Sequence, residues 1–195
     1  MKPSPEYQEA LRLAQHPPVN KRRVLRLLRT AAAKGDPLAQ NALASWYLHG
    51  VGVRRDFTQA ARYLKLAAEA GVGEACYNLG LSFEKGTGVR RSPKGAFQWY
   101  AAAAGLGEKD ASGEVARCYR YGIGTKPDSA AALAWYRKAA REGDAEAMYA
   151  LGRSYELGEG TSRNAARAKS WYAKAAGLRH VDATIALKMI KRTER

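Results

Sequence analysis

At 195 residues, 46% of them apolar and 26% charged, the chain is long enough for one substantial domain or a short array of repeats. No apolar run approaches the ~20 residues that cross a bilayer, and abundant alanine with few β-branched residues favours helices over sheet. Thirty-three Lys and Arg against 18 Asp and Glu give a net charge of +15, which attracts acidic partners and leaves nucleic acid, anionic membrane and acidic protein all open.

The first residues, "MKPSPEYQEALRLAQHPPVNKRR", lack the apolar core of a secretory signal, so a cytoplasmic protein is expected. Residues 5–15 read as a short helix with Ser4 as its cap and Pro5 at its first position, stopped at Pro17-Pro18. A second helix follows in "VNKRRVLRLLRTAAAKG", capped by Asn20. The segment 10–35 holds seven basic residues and no acidic one. Arg22, Arg26 and Arg29 share one helical face, opposite Val24, Leu25, Leu27 and Leu28. That pattern fits either the solvated face of a capping helix or a surface for nucleic acid or anionic lipid.

From residue 35 onward the chain repeats. The pairs Gly50/Gly52, Gly86/Gly88, Gly122/Gly124 and Gly158/Gly160 are spaced by 36 residues. Each unit first sets an alanine, an aliphatic and an aromatic four residues apart: Ala39, Leu43 and Tyr47, with their counterparts one period on. That spacing puts all three on one face of a helix. The glycine pair then ends the helix, since glycine tolerates the left-handed conformation. Asp56, Ser92, Asp128 and Asn164 cap a second helix carrying Ala60, Ala96, Ala132 and Ala168. Trp99, Trp135 and Trp171 on that helix are expected to wedge into the core, with the adjoining tyrosines reaching the surface. A phosphate-binding glycine loop follows a strand; these pairs follow a helix and are read as hinges. Stacked helix pairs of this kind make an α-solenoid.

The arginines after the hinges, Arg54, Arg55, Arg90 and Arg91, fall at neighbouring repeat positions and line one edge, either solvated or a basic ladder for an acidic partner. Cys76 and Cys118 lie 42 residues apart, one period plus six, which turns them to different faces; buried thiols are expected. His16, His49 and His180 are scattered and no metal-ligand spacing occurs, so no metal or cofactor is expected. No nucleophile–base–acid set is visible, and no catalysis is expected. At the C-terminus "HVDATIALKMIKRTER" matches the first helix of a unit, with Ala183 and Leu187 on core positions.

If positions 39, 43 and 47 face the core, positions 38, 41, 45 and 48 form an adjoining stripe on the first helix. Later units place Tyr77 and Glu84, then Arg117 and Arg120, then Tyr149 and Arg153 on it; the last helix adds Asp182, Ile185, Met189 and Arg192. Tyrosine and arginine bring large, ordered contact area, and the arginines are not required by the repeat.

The pattern Ala-x-x-x-Leu-Gly-x-x-Tyr-x-x-Gly-x-Gly, a capping residue, then Ala-x-x-Trp-Tyr-x-x-Ala-Ala resembles the Sel-one-like repeat (SLR) family, related to the tetratricopeptide repeats. "ACYNLGLSFEKGTGVRRSPKGAFQWYAAAAGL" and "AMYALGRSYELGEGTSRNAARAKSWYAKAAGL" carry it most fully; the first unit has Tyr63-Leu64 in place of Trp-Tyr, and the third has Val115-Ala116 in place of Leu-Gly. The resemblance implies an all-α, right-handed solenoid: capping helices in 1–34, four repeats in 35–178 (35–70, 71–106, 107–142, 143–178) and a capping helix in 179–195. It also implies that the stripe lines a concave groove, and that the protein is a non-catalytic scaffold or adaptor for a protein or peptide partner of acidic character. Other family members suggest an immunity-type protein that neutralises a secreted bacterial toxin. The cysteine-rich members associated with β-lactams carry a disulfide in each repeat, a framework this chain lacks. Self-association is left open.

Overall fold

A computed structural model describes residues 2–16 and 19–193, with side chains to Ile190. The stop at Pro17-Pro18 and the side chain of Arg192 therefore lie outside the described residues. The chain divides into two compact units, the first reaching to Gly107 and the second beginning at Glu108. The first unit contains α1 (Pro5–Gln15), α2 (Lys21–Ala33), α3 (Pro37–His49), α4 (Phe57–Glu69), α5 (Gly73–Lys85) and α6 (Pro93–Gly105). The second contains α7 (Ala111–Tyr121), α8 (Ser129–Arg141), α9 (Ala145–Leu157), α10 (Ala165–Gly177) and α11 (Val181–Thr193). Among the described residues there is no strand, and no helix is long and apolar enough to cross a membrane.

Local chemistry sets the helix ends. Ser4 and Asn20 cap α1 and α2, accepting the amides of Tyr7 and Arg23. Asp56, Ser92, Asp128 and Asn164 each accept the amide three residues on and start α4, α6, α8 and α10. Gly50, Gly86, Gly122 and Gly158 stop α3, α5, α7 and α9 in the left-handed region, at φ between 69° and 79°. The second glycine has a further reason to be glycine. A Cβ on Gly88 would lie 2.0 Å from the Phe57 carbonyl oxygen, and one on Gly160 would lie 2.2 Å from that of Ser129. These two hinges are thus pressed onto the first residue of the preceding repeat's second helix, Phe57 of α4 and Ser129 of α8.

The core runs along the helix faces that the period marks. In the first unit Ala39, Leu43, Ala60, Leu64, Ala75, Leu79, Ala96 and Ala103 are buried; in the second Ala111, Val115, Ala132, Ala139, Ala147 and Leu151 are. Cys76 and Cys118 are buried and neither is in a disulfide.

The aromatic pair on the second helix is reversed from expectation. Tyr100, Tyr136 and Tyr172 are the buried members, at 0%, 6% and 1% exposure, whereas Trp99, Trp135 and Trp171 are only half-buried. The tyrosine is four residues beyond the buried alanine (Ala96 to Tyr100) and three to four before the alanine pair, in the centre of the buried face. The tryptophan, one residue earlier, sits at its edge. Lys138 lies 5.0 Å over the Trp135 ring and Lys174 4.1 Å over that of Trp171, which covers their outer sides. Gly80 and Gly152 make the room: a Cβ there would come within 2.7 and 2.5 Å of the Tyr100 and Tyr172 rings.

Candidate functional site

A buried tyrosine needs somewhere to put its hydroxyl. Tyr100 donates to Glu84 Oε2 at 2.7 Å, and two periods later Tyr172 donates to Glu156 Oε2 at 2.6 Å. Burial, reinforced by the glutamate beside it, raises the Tyr172 hydroxyl well above the ordinary tyrosine value. In the third repeat Arg120 occupies the glutamate's position opposite Tyr136. That hydroxyl is pushed up to about 12 by burial, with Arg120 pulling the other way. In the first repeat the two positions are Leu48 and Leu64, apolar together. Residue 84 and its counterparts therefore change in step with the buried residue they serve.

This fixes how the predicted stripe residues stand. In the first unit Tyr77 packs on Tyr100, ring centroids 5.8 Å apart, and Glu84 holds the Tyr100 hydroxyl. In the second unit Tyr149 lies 5.6 Å from Tyr172 and stacks on His180 at 4.8 Å. Arg117 donates to Glu114 at 2.7 Å on its own helix. Arg120, only 13% exposed, is paired with Glu159 at 2.7 Å. Arg153 is half-buried and makes no hydrogen bond or ion pair with the described residues. One period beyond Arg153, on α11, Met189 is 63% exposed, and Ile185, one period beyond Tyr149, is 46% exposed.

The sequence passes over His180, yet the repeat alignment contains the signal, because His180 lies one period after Asp144, the cap of α9. Its Nδ1 accepts the amide of Ala183 at 3.3 Å, which leaves Nε2 to donate to Glu146 at 2.9 Å. The ring thus starts α11 and braces Tyr149.

The basic edge also divides by role. Arg91 Nε donates to the Glu84 carbonyl at 3.0 Å, and Arg163, two periods on, to that of Glu156 at 2.9 Å; both satisfy a last-turn carbonyl of their helix. Arg55 lies 5.1 Å over the Phe57 ring. Arg54 and Arg90 are exposed and make no hydrogen bond or ion pair with the described residues. Among the described residues no group of three or more His, Cys, Asp or Glu is placed to hold a metal ion.

The model of the Sel1 repeat matches four times, over residues 37–72, 73–108, 110–144 and 145–180. Among solved structures the chain is similar to a protective antigen present in uropathogenic Escherichia coli strains that displays an SLR fold. The two are 28% identical with a TM-score of 0.90, over 95% of this chain and 40% of that one. The chain therefore spans about two fifths of that antigen. A Sel1 repeat protein from Oxalobacter formigenes is 32% identical with a TM-score of 0.86, over 93% of this chain and 74% of its own. An immunity protein from Pseudomonas aeruginosa is 26% identical with a TM-score of 0.53, over 95% of this chain and 70% of its own. No curated protein matches the sequence. The all-helical repeats and these likenesses together make the fold an α-solenoid.

Proposed function

The chain belongs to the Sel1 repeat family, and from that footing we propose that it is a non-catalytic scaffold holding an acidic partner protein against the part-exposed stripe on α7, α9 and α11 of its second unit. The observation that carries this reading is Arg153. It is half-buried without a hydrogen-bonding or ionic partner among the described residues, and it shares the stripe with Tyr149 and with the exposed Ile185 and Met189. A cation held on a packed helix beside an aromatic and two aliphatics suits a segment that offers one carboxylate among apolar side chains. Because helices carry the stripe, docking would cost little ordering entropy. Within the second unit Tyr149 supplies a ring edge to the partner and Arg117 a second cation, while Arg120 acts through the buried Tyr136 it serves; the first unit carries a stripe of its own, with Tyr77 on it and Glu84 acting through Tyr100.

The test is affinity capture with the wild type and with Arg153→Glu, each checked for an unchanged melting curve. Partners recovered by the wild type should be lost or sharply depleted with Arg153→Glu. Equal recovery of the same partners would remove the stripe as the docking surface.

The likeness to an immunity protein favours a second reading, in which the partner is a secreted toxin and binding neutralises it. A toxin encoded beside this chain's own gene, inhibited by the purified protein, would support that reading; a neighbouring toxin left fully active would exclude it.

A further inference from the structure

The first unit contains a cationic site that the repeat does not require and the stripe does not include. A bowl of about 690 Å³ opens between α2, Tyr47 of α3 and the hinge that follows α3. Leu25 and Val53 contribute apolar surface to it, while Arg29, Arg54 and Arg55 contribute guanidinium groups. Two of the three guanidiniums are already held: Arg29 donates to the Tyr47 hydroxyl at 3.3 Å, and Arg55 rests 5.1 Å over Phe57. Arg26 and Arg22, one and two turns up α2 on the Arg29 face, prolong the cationic surface by steps of roughly 4.5 Å and 6 Å. Neither side chain makes a hydrogen bond or ion pair with the described residues.

The unit's carboxylates are engaged elsewhere. Glu6 pairs with Lys34, Glu9 with Arg12 and Arg23, and Glu69 with Lys65. Asp36 accepts the amides of Ser4, Leu38 and Ala39. Glu74 accepts from Asn41, and Glu84 from Tyr100. Asp56, on the bowl's rim, is turned to its own helix as the cap of α4. None of the first unit's own carboxylates is therefore left to neutralise this patch.

We infer that the bowl formed by Arg29, Arg54 and Arg55 is a second docking surface, which takes carboxylate side chains of an acidic segment on a partner protein. Guanidinium forks match carboxylates in paired hydrogen bonds, and forks already held by Tyr47 and Phe57 lose little freedom on engaging them. The apolar floor suits a side chain that brings methylene groups with its charge. A nucleic-acid strand fits less well, because each ring near the bowl already has one face engaged. Arg55 lies over one face of Phe57, and Tyr47 stacks on Tyr63 with centroids 5.9 Å apart and planes 6° from parallel.

The test uses the full chain and two fluorescent probes of equal length, a glutamate-rich decapeptide and a thymidine decanucleotide, followed by anisotropy at low salt. The peptide should bind saturably and at least as tightly as the oligonucleotide. Arg54→Glu/Arg55→Glu should weaken it about tenfold or more, the sum expected for reversing two exposed ion-pairing partners. Lys94→Glu/Arg141→Glu, which changes the net charge equally at exposed sites outside the bowl, should weaken it far less. Arg54→Gln/Arg55→Gln gives an intermediate loss without adding like charge, and circular dichroism checks the fold of each variant. Equal losses for the two reversals, tighter binding of the oligonucleotide, or no saturable peptide binding would each overturn the inference. Saturable peptide binding untouched by Arg54→Glu/Arg55→Glu would overturn it while leaving the stripe reading intact.

Discussion

Replacing Gly88 with alanine separates two costs that a hinge glycine can carry. At φ 73° the backbone is in the left-handed region, where a Cβ costs about 1–2 kcal/mol. A stiffer unfolded chain returns about 0.4–1 kcal/mol of that. Gly35, at φ 87° with nothing within 4 Å of its would-be Cβ, carries this conformational cost alone. Gly88 adds a collision, since its Cβ would sit 2.0 Å from the Phe57 carbonyl oxygen and 2.4 Å from its carbon. Relief requires the hinge to move off the start of α4, an overpacking cost of about 1–3 kcal/mol. Gly35→Ala should therefore lose about 1 kcal/mol and Gly88→Ala about 2–4 kcal/mol, read from urea-unfolding midpoints followed by helical circular dichroism. Gly160→Ala should behave like Gly88→Ala, its collision with Ser129 being nearly as close at 2.2 Å. Equal losses at Gly35 and Gly88 would refute the close backbone approach and reduce the second glycine to a conformational device.

Three further outcomes follow from particular side chains. Burial works to raise the Asp36 carboxyl, but the amides it accepts outweigh this and hold it below its ordinary 3.8. Its stabilisation is thus present above that value and is lost as pH falls through the lowered one. Asp36→Ala should cost about 1–2 kcal/mol at neutral pH, with a gap to wild type that narrows below pH 4; a widening gap contradicts the assignment. Tyr136, pushed up from 10.0 to about 12 by burial, contributes stability that drains as pH climbs between those values. Tyr136→Phe should flatten that alkaline loss in midpoints measured at pH 9 and pH 11.5, and an unchanged slope would count against a buried hydroxyl. Tyr100→Phe strands no buried carboxylate, because Glu84 is only half-buried, so it should cost about 1–2 kcal/mol; a loss above 4 kcal/mol by urea unfolding would mean the pair is far drier than its geometry.

The period of 36 made the helices, their caps and the glycine stops legible, because each depends on chemistry within a few residues in sequence. The aromatic reversal was less accessible. Both rings of each Trp-Tyr pair lie near the alanine face; the tyrosine takes its centre in all three, Tyr136 included, and Gly80 and Gly152 leave room for Tyr100 and Tyr172. The stripe was legible as a set of positions but not as a set of roles. Glu84 looks like a groove carboxylate until Tyr100 is seen reaching it, and Arg120 like a free cation until Glu159 is found 2.7 Å away. The bowl beside Tyr47 was visible only as two separate basic stretches, 22–29 and 54–55, because the hinge that joins them is a feature of the folded chain.

A photo-activated cross-linking residue introduced at position 153 of α9, or at the exposed position 134 of α8, interrogates the docking surface directly once a partner is captured. The account predicts a cross-link to the partner from position 153 and little or none from position 134. A cross-link from 134 alone would contradict it.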